Sequence, residues 1–353
     1  MIMNTGNDLN LTNGLHLCID WLSWTVTEPC SVNDVIQFMG YTPEDFRKHP
    51  TGLNGYRSQL RHLVYPISIQ YDGSEDMGIH VDVSGSAITD LLSHFYKIRL
   101  KPTVFGDGFE VSDFDSTIFR ELFIAIKGHG HITRLDLAID DIGCNYYTMA
   151  ELNDIFASGA FSSRFRSRNE IKKYTEDTIT GNTIYLGSRK SAIMLRIYDK
   201  QLEQNGKLIS SGKSPITTPW VRWEIELKKE RAEFASELLS QGMPLQLLTL
   251  CTLRGYLRII NLDNERKTRC STSEKWERFI DGVDKISLYY RGKEKTIDST
   301  KEWLARQVAP SLAMVVMADG GSMEYLTKLL VNGAGRIKEY QNQLIQQEMG
   351  SAL

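Results

Sequence analysis

Three short segments hold the residues best suited to chemistry. In TRLDLAIDD, Arg134, Asp136, Ala138 and Asp140 share one parity, and Leu135, Leu137 and Ile139 the other. In VRWEIELKK, Arg222, Glu224, Glu226 and Lys228 alternate with Val221, Trp223, Ile225 and Leu227. In AIMLRIYDK, Met194, Arg196, Tyr198 and Lys200 alternate with Ile193, Leu195 and Ile197. Side chains alternate faces along a strand, so each segment predicts a strand that is apolar on one side and charged on the other. If the three pair in one sheet, Asp136, Asp140, Glu224 and Glu226 gather in a small area. Like charges raise each other's pKa, so the cluster is costly without a cation. Mg²⁺ suits it, being hard and usually held by one or two carboxylates plus waters and phosphate oxygens. Arg134, Arg196 and Arg222 either pair these acids or grip phosphates bidentately. The plain alternative is a half-buried antiparallel sheet with a solvated charged face.

Tyr198 stands out within this set. A phenol with a pKa near ~10 is a poor nucleophile unless a metal or a cation stabilises the phenolate. Arg196 and Lys200, two residues to either side, are placed to do so; a packing role is the alternative, and Tyr185 in NTIYLGS is the local rival. His129-Gly130-His131 has the look of a metal pair, but the intervening glycine favours a loop. The runs VSGSA and GDGFE lack P-loop or dinucleotide spacing. No GxSxG occurs.

The elements that must position these groups can be read from periodicity. Strands are expected at His16–Val26, Ile67–Tyr71, Gly78–Val83, His131–Asp140, Ile171–Thr175, Asn182–Gly187, Ala192–Lys200 and Trp220–Leu227. Helices are expected at Ile88–Ile98, from Asp113 or Asp115 to Ile126 (stopped by Gly128 and Gly130), at Met149–Ala157 and near Lys229–Leu239. From Pro244 onward, Leu245–Ile260, Lys275–Ile286, Thr300–Met317 and Met323–Gln347 read as helical. No repeat of fixed period is visible, although strands and helices recur in both halves of residues 14–240. The expected fold is α+β: an antiparallel sheet body with flanking helices over 14–240, a mostly helical region over 241–353, and a loose terminus over 1–13.

The 353 residues carry 41 Lys+Arg and 44 Asp+Glu, a net charge of −3. With 41% apolar and 24% charged residues, this is ordinary globular composition. No apolar run is long enough for a membrane span, and the start has no secretory signal. Five scattered cysteines without CxxC spacing argue against disulfides or a zinc knuckle and for a cytoplasmic location. The charge is unevenly distributed: residues 1–160 total −11, whereas 161–231 total +7. That asymmetry suits a polyanion site.

The segments CIDWLSWTV, GIHVDVSGSAITDL, TRLDLAIDD, NTIYLGSRKSAIMLRIYDKQLEQ and VRWEIELKKERAE occur in an order that resembles the Rep_trans family. These are replication initiation factors of rolling-circle plasmids and filamentous-type phages, with related relaxases of integrative conjugative elements. The resemblance covers roughly residues 14–310, and TRLDLAIDD and LGSRKSAIMLRIYDK are its most specific parts. It implies a site-specific DNA nickase, with 14–240 as the nicking body. A tyrosine joins the 5′-phosphate of one strand and leaves a 3′-OH for rolling-circle replication or conjugative transfer, and the joined strand can be religated. The tyrosine maps onto Tyr198, flanked by Arg196 and Lys200. The metal-binding acids map onto Asp136 and Glu224, with Asp140 and Glu226 as further ligands of Mg²⁺ or Mn²⁺. Arg189 and Lys190 match a basic pair suited to DNA phosphates, and Arg134 and Arg222 are further DNA-contact candidates. By the same resemblance, origin recognition lies toward the C-terminal region, where Arg254, Arg258, Arg266, Lys267 and Arg269 cluster. The implied partners are origin DNA at a single-stranded or cruciform nick site, a second copy of the chain and a host helicase. Two other functions fit the residues: a metal-dependent endonuclease using water, and a non-catalytic origin-binding protein.

Overall fold

Period-two hydrophobicity is realised as one large sheet. The computed structural model describes residues 9–10, 14–97, 116–281, 297–337, 341–342, 345–346 and 348. The chain divides into two compact units, Met1–Tyr290 and Arg291–Leu353. In the first unit the strands are β1 (Leu9–Asn10), β2 (His16–Val26), β3 (Phe46–His49), β4 (Ser58–His62), β5 (Ile67–Tyr71), β6 (Ile79–Ser84) and β7 (Gly130–Ile142). They continue as β8 (Phe161–Ser163), β9 (Arg168–Thr175), β10 (Thr178–Leu186), β11 (Ile193–Asp199), β12 (Trp220–Lys228) and β13 (Leu257–Ile259). The helices are α1 (Val32–Phe38), α2 (Ser86–Phe95), α3 (Ser116–His129), α4 (Met149–Ser158), α5 (Lys200–Ser210), α6 (Glu230–Ser240), α7 (Leu245–Tyr256) and α8 (Glu274–Ile280). The second unit is helical: α9 (Ile297–Trp303), a π-helical turn at Leu304–Val308, α10 (Ala309–Ala318) and α11 (Glu324–Ala334). The fold is thus α+β with a largely helical C-terminal region.

The main sheet is antiparallel, in the order β3-β4-β5-β6-β2-β7-β12-β11-β10-β9, with β1 added beside β2. That order is palindromic about the β2–β7 pair. Each half opens with a long central strand, passes through a helix (α1 or α4), and returns strand by strand to lie beside its opening strand. Each half then enters a helix directly, β6 into α2 and β12 into α6. The junction residues have nearly the same unusual backbone, Gly85 at φ 57°, ψ −129° and Lys229 at φ 53°, ψ −133°. The recurrence of strands and helices in the sequence therefore reflects two topologically equivalent halves.

Most expected strands and helices form, but the helix expected over Leu245–Ile260 ends at Tyr256, where Leu257–Ile259 becomes β13 paired with β8, and the one expected over Met323–Gln347 ends at Ala334. Leu9–Asn10, within the run expected to be loose, pairs with β2. A register shift between Ile19 and Trp21 puts Leu17, Ile19, Leu22 and Trp24 on the same buried face, which strict alternation does not anticipate. Helix α3 runs through Gly128, and β7 begins at Gly130, so His129-Gly130-His131 is a helix–strand junction rather than a loop. A Cβ at Gly130 would overlap the Thr25 carbonyl oxygen, so only glycine allows that approach. The segment GDGFE, the helix starts at Asp113 and Asp115, and the end of the helix expected to run to Ile286 lie outside the described residues.

Helices α2, α3 and α6 cover the apolar face of the sheet through Leu91, Leu92, Phe119, Phe123, Ala235 and Leu239. Helices α7 and α8 add Leu248, Leu253, Trp276 and Phe279 to the same core. Trp223, fully buried on β12, meets Phe279, Trp276 and Tyr147 at ring-centroid distances of 5.0, 5.8 and 5.9 Å. This aromatic cluster holds the centre of the sheet against α8. Trp223→Ala removes its hub and is expected to cost about 3–5 kcal/mol, read as a lower urea midpoint with an unchanged m-value.

Candidate active site

The three charged segments are adjacent strands, β7, β12 and β11, and their charged faces coincide. The register pairs Asp136 with Glu226, Ala138 with Glu224 and Asp140 with Arg222. Across the next ladder, Glu224 faces Arg196 and Arg222 faces Tyr198. One row of the face therefore reads Ala138, Glu224, Arg196 and Tyr185, and the next Asp140, Arg222, Tyr198 and Thr183. All four carboxylates are buried: Asp136 and Glu224 are 0% exposed, Asp140 1% and Glu226 6%.

Each acid is met by a cation. Arg134 donates to both oxygens of Asp136 at 2.9 and 2.6 Å and to Glu226 Oε2 at 2.9 Å. Lys228 Nζ lies 2.5 Å from Glu226 Oε1. Arg196 Nη2 donates to Glu224 Oε1 and lies 3.9 Å from Asp136 Oδ2. Burial pushes the Asp136 carboxyl up to about 6, against the pull of Arg134.

Asp140 and Arg222 form a separate pair. Arg222 donates through Nε and Nη2 to Asp140 at 2.7 and 2.6 Å, and through Nη1 to Asp20 at 2.5 Å. Trp220 Nε1 also donates to Asp140, at 2.7 Å. Burial opposes the Arg222 charge, but Asp140 holds its pKa well above the ordinary value. The guanidinium is 4% exposed and has no face open to a phosphate. Asp140 is thus committed to Arg222 and lies apart from the Asp136–Glu226 pair.

Tyr198 is half-buried beside these groups. Its hydroxyl donates to Glu224 Oε2 at 3.1 Å and accepts from Lys200 Nζ at 3.4 Å. Burial raises the phenol well above its ordinary pKa; Arg222 and Arg196 pull it down, while Asp20 and Glu203 push it further up. Lys200 does not continue β11. Asp199 caps α5 by accepting from Leu202 N at 2.8 Å, and Lys200 is the first helical residue. Its ammonium reaches Tyr198 from the helix start and donates to Glu203 Oε2 at 2.6 Å. Burial and the Arg222 charge lower the Lys200 pKa. Burial alone would raise Glu203, but Lys200 and Lys207 hold it down at about 2.

Tyr185 shares the face but sits one strand further out, 5.9 Å beneath Arg189. Arg189 and Lys190 are exposed at the β10–β11 turn, at the end of β11 away from Tyr198. Three residues that completed the cluster escaped the sequence reading: Asp20, Trp220 and Glu203. Asp20 is hidden by the β2 register shift. Trp220 shares parity with Arg222, and Glu203 follows Lys200 at helical spacing once Asp199 is read as a cap. Of the C-terminal basic group, Arg254 pairs with Glu277 at 2.7 Å and Arg258 donates to the Lys267 and Thr268 carbonyls. Arg266 and Arg269 remain exposed. His129 Nδ1 donates to the Glu28 carboxylate at 2.8 Å, away from the buried acids of β7 and β12.

Among the described residues no group of three His, Cys, Asp or Glu side chains is arranged as a metal cage. The donor chemistry nevertheless suits one hard divalent ion. Arg196 Nη2 occupies a point shared by Asp136 and Glu224, so a single cation in its place would meet two buried carboxylates. Waters and a phosphate would complete the shell.

Residues 130–330 match the replication initiation factor family Rep_trans. The chain belongs to this family. Every strand residue of the cluster from Arg134 to Lys228 falls inside the Rep_trans match, whereas β2 to β6 lie outside it. The putative DNA relaxase NicK of Bacillus subtilis (strain 168) is 34% identical over 195 residues, 54% of each chain. The chain thus spans about half the length of this curated relative. A rolling circle replication initiator protein from Geobacillus stearothermophilus shares the fold, with a TM-score of 0.61 and 24% identity over 78% of this chain and 100% of that one. No helix among the described residues is long and apolar enough to cross a membrane.

Two outcomes test this electrostatic arrangement. Arg222→Met strands Asp140 and Asp20 without their cation and is expected to cost about 3–5 kcal/mol, measured by denaturant unfolding. For Asp136, the folded pKa near 6 exceeds the unfolded value of about 3.9. The proton is therefore bound more tightly in the folded chain, and stability falls as pH rises from about 4 through about 6. Asp136→Asn removes that part of the slope, seen by comparing the pH dependence of unfolding with wild type.

Proposed function

We propose that the chain nicks and rejoins one strand of DNA at a replication or transfer origin through a covalent 5′-phosphotyrosine at Tyr198. The observation that carries this reading is the placement of the Tyr198 hydroxyl, 3.1 Å from the Glu224 carboxylate and 3.4 Å from the Lys200 ammonium. Family membership and the likeness to a putative DNA relaxase support it.

The chemistry follows from these groups. Tyr198 Oη forms the bond to phosphorus while the phosphorus–O3′ bond breaks, and the phenolic proton passes to Glu224 Oε2. Lys200 steadies the developing phenolate charge, and the departing 3′-oxygen takes a proton from solvent water to become a 3′-OH. The phosphotyrosine conserves the ester, so the 3′-OH can attack it and restore the strand. Phosphoryl transfer depends mainly on positioning and charge neutralisation. Arg189 and Lys190 at the β10–β11 turn hold flanking phosphates, and Arg196 reaches the scissile one once released from Glu224. Arg222 acts differently: it fixes Asp140 and Asp20 beneath Tyr198 and is a positioning residue.

Asp136 and Glu224 would hold Mg²⁺ or Mn²⁺, with Glu226 beside them. The ion supplies Lewis-acid polarisation of the phosphate. The nicking body is assigned to 14–240. A second copy of the chain, a host helicase and a cytoplasmic location belong to the same reading.

With an origin oligonucleotide and Mg²⁺ or Mn²⁺, the wild-type chain is expected to give a protein–DNA adduct that survives denaturation. Tyr198→Phe abolishes the adduct, Tyr185→Phe retains it, and Asp136→Asn slows it by about 10²-fold or more. Cleavage without an adduct would instead assign hydrolysis by water. Salt-sensitive binding without cleavage would assign a binding protein. Either result overturns the proposal.

A further inference from the structure

The same polar face continues across the β2–β7 centre into the half of the sheet that lies outside the Rep_trans match. There it forms a cavity of about 760 Å³ over β4, β5, β6 and β2. The palindromic strand order makes this cavity the topological counterpart of the candidate active site. Asp82 stands where Glu226 stands, His80 where Glu224 stands, Gln70 where Arg196 stands and Gln59 where Tyr185 stands. One carboxylate is thus kept, as Asp82, while an imidazole takes the place of Glu224 and amides take the places of Arg196 and Tyr185.

Hydrogen bonds fix these amides. Asp82 accepts from Ser23 Oγ at 2.6 Å and from Gln70 Nε2 at 2.8 Å, with His80 Nε2 3.4 Å away. The carboxylate orients Gln70, whose Oε1 then accepts from Asn54 Nδ2 at 3.3 Å. Gln59, the neighbour of Gln70 across the β4–β5 ladder, is 1% exposed and lines the cavity. Its Oε1 is buried and has no hydrogen-bond partner among the described residues. A buried acceptor left unmade costs free energy, and this one belongs to a side chain that lines the cavity, as does the unpaired Thr133 Oγ1.

The surroundings identify the ligand class. Trp21, with Arg134 stacked 4.2 Å from its ring centroid, and Tyr65 offer aromatic surface. Arg61 and Lys229 are exposed where they line the cavity, and Arg134 and Lys228 join it to the carboxylate cluster. Lys229 sits in a left-handed backbone that a lysine adopts only at a cost. Aromatic rings, oriented amides and a cationic rim are the elements that bind a single-stranded nucleotide: stacking for the base, amides for its edge and cations for phosphates.

We propose that this cavity holds one unpaired base of the DNA strand and selects a base presenting an amino donor to Gln59 Oε1. It rests on the nickase reading, because the strand bound here is the one cut at Tyr198. Six strand spacings separate β11 from β4, about 29 Å along the sheet. The base read is therefore remote from the scissile phosphate and contributes to origin choice rather than to chemistry.

Cytosine and thymine isolate the contact, since their rings match in size while the 4-position carries an amino donor in one and a carbonyl acceptor in the other. Binding of fluorescein-labelled oligo(dC) and oligo(dT) is measured by anisotropy with Tyr198→Phe protein, so that no cleavage intervenes. Oligo(dC) is expected to bind about tenfold more tightly, consistent with one hydrogen bond gained against a carbonyl repulsion. Adding Gln59→Leu levels the two, with retained thermal unfolding showing that the fold persists. Adding Arg61→Ala instead weakens both equally and reduces the salt dependence by about one phosphate contact. Equal binding of the two strands, or a dC preference that survives Gln59→Leu, overturns the pocket. Adduct formation by the wild-type chain is scored separately; its failure removes the nickase reading without altering the base preference.

Discussion

The four carboxylates buried on the charged face of β7 and β12 each meet a cation, and this pairing organises the centre of the molecule. Asp136, Glu224 and Glu226 lie within reach of Arg134, Arg196 and Lys228, while Asp140 and Asp20 share Arg222. Removing one partner of such a set costs more than the pair contributes, because the remaining charge stays desolvated. The arrangement therefore fixes the register of three strands as firmly as the apolar face does. It also leaves the Tyr198 hydroxyl between an acceptor and a cation, which neither strand could provide alone.

Period two in TRLDLAIDD, AIMLRIYDK and VRWEIELKK was enough to place Asp136, Tyr198 and Glu224 on one face, because a slip of one residue would expose Leu137, Ile197 and Trp223. Alternation does not say which charges are spent on one another. Arg222 and Arg196 look alike in sequence, yet Arg222 is sealed between Asp140 and Asp20, whereas Arg196 is partly exposed and reaches toward two acids. Lys200 follows the alternation in sequence but enters a helix, since the Asp199 side chain competes for the backbone as a cap. The register shift at Asp20 has no marker in a run of β-branched and aromatic residues. The polar half around Gln59 and Gln70 was equally silent: amides on a strand carry no charge pattern, and their meaning appears only when β4, β5 and β6 are set beside β2.

The family match begins where β7 begins, so the Rep_trans signature corresponds to the second half of the palindromic body and the helical region after it. In that half the face is charged; in the first it is dominated by amides and hydroxyls. Two equivalent scaffolds with different side chains provide adjoining surfaces on one continuous sheet, and Arg134 and Lys228 stand at the border between them.

The β2–β7 ladder also shapes how the chain folds. Within each half the strands other than the opening one pair mainly with near neighbours in sequence, so those meanders close short loops. The central ladder joins Cys18 to Ala138, residues about 120 positions apart. Long-range pairing of this kind bears the largest loop-closure entropy and forms slowly. Each half alone would leave one edge of its long strand unpaired, and the pairing with the largest loop to close is the one that brings the two faces together.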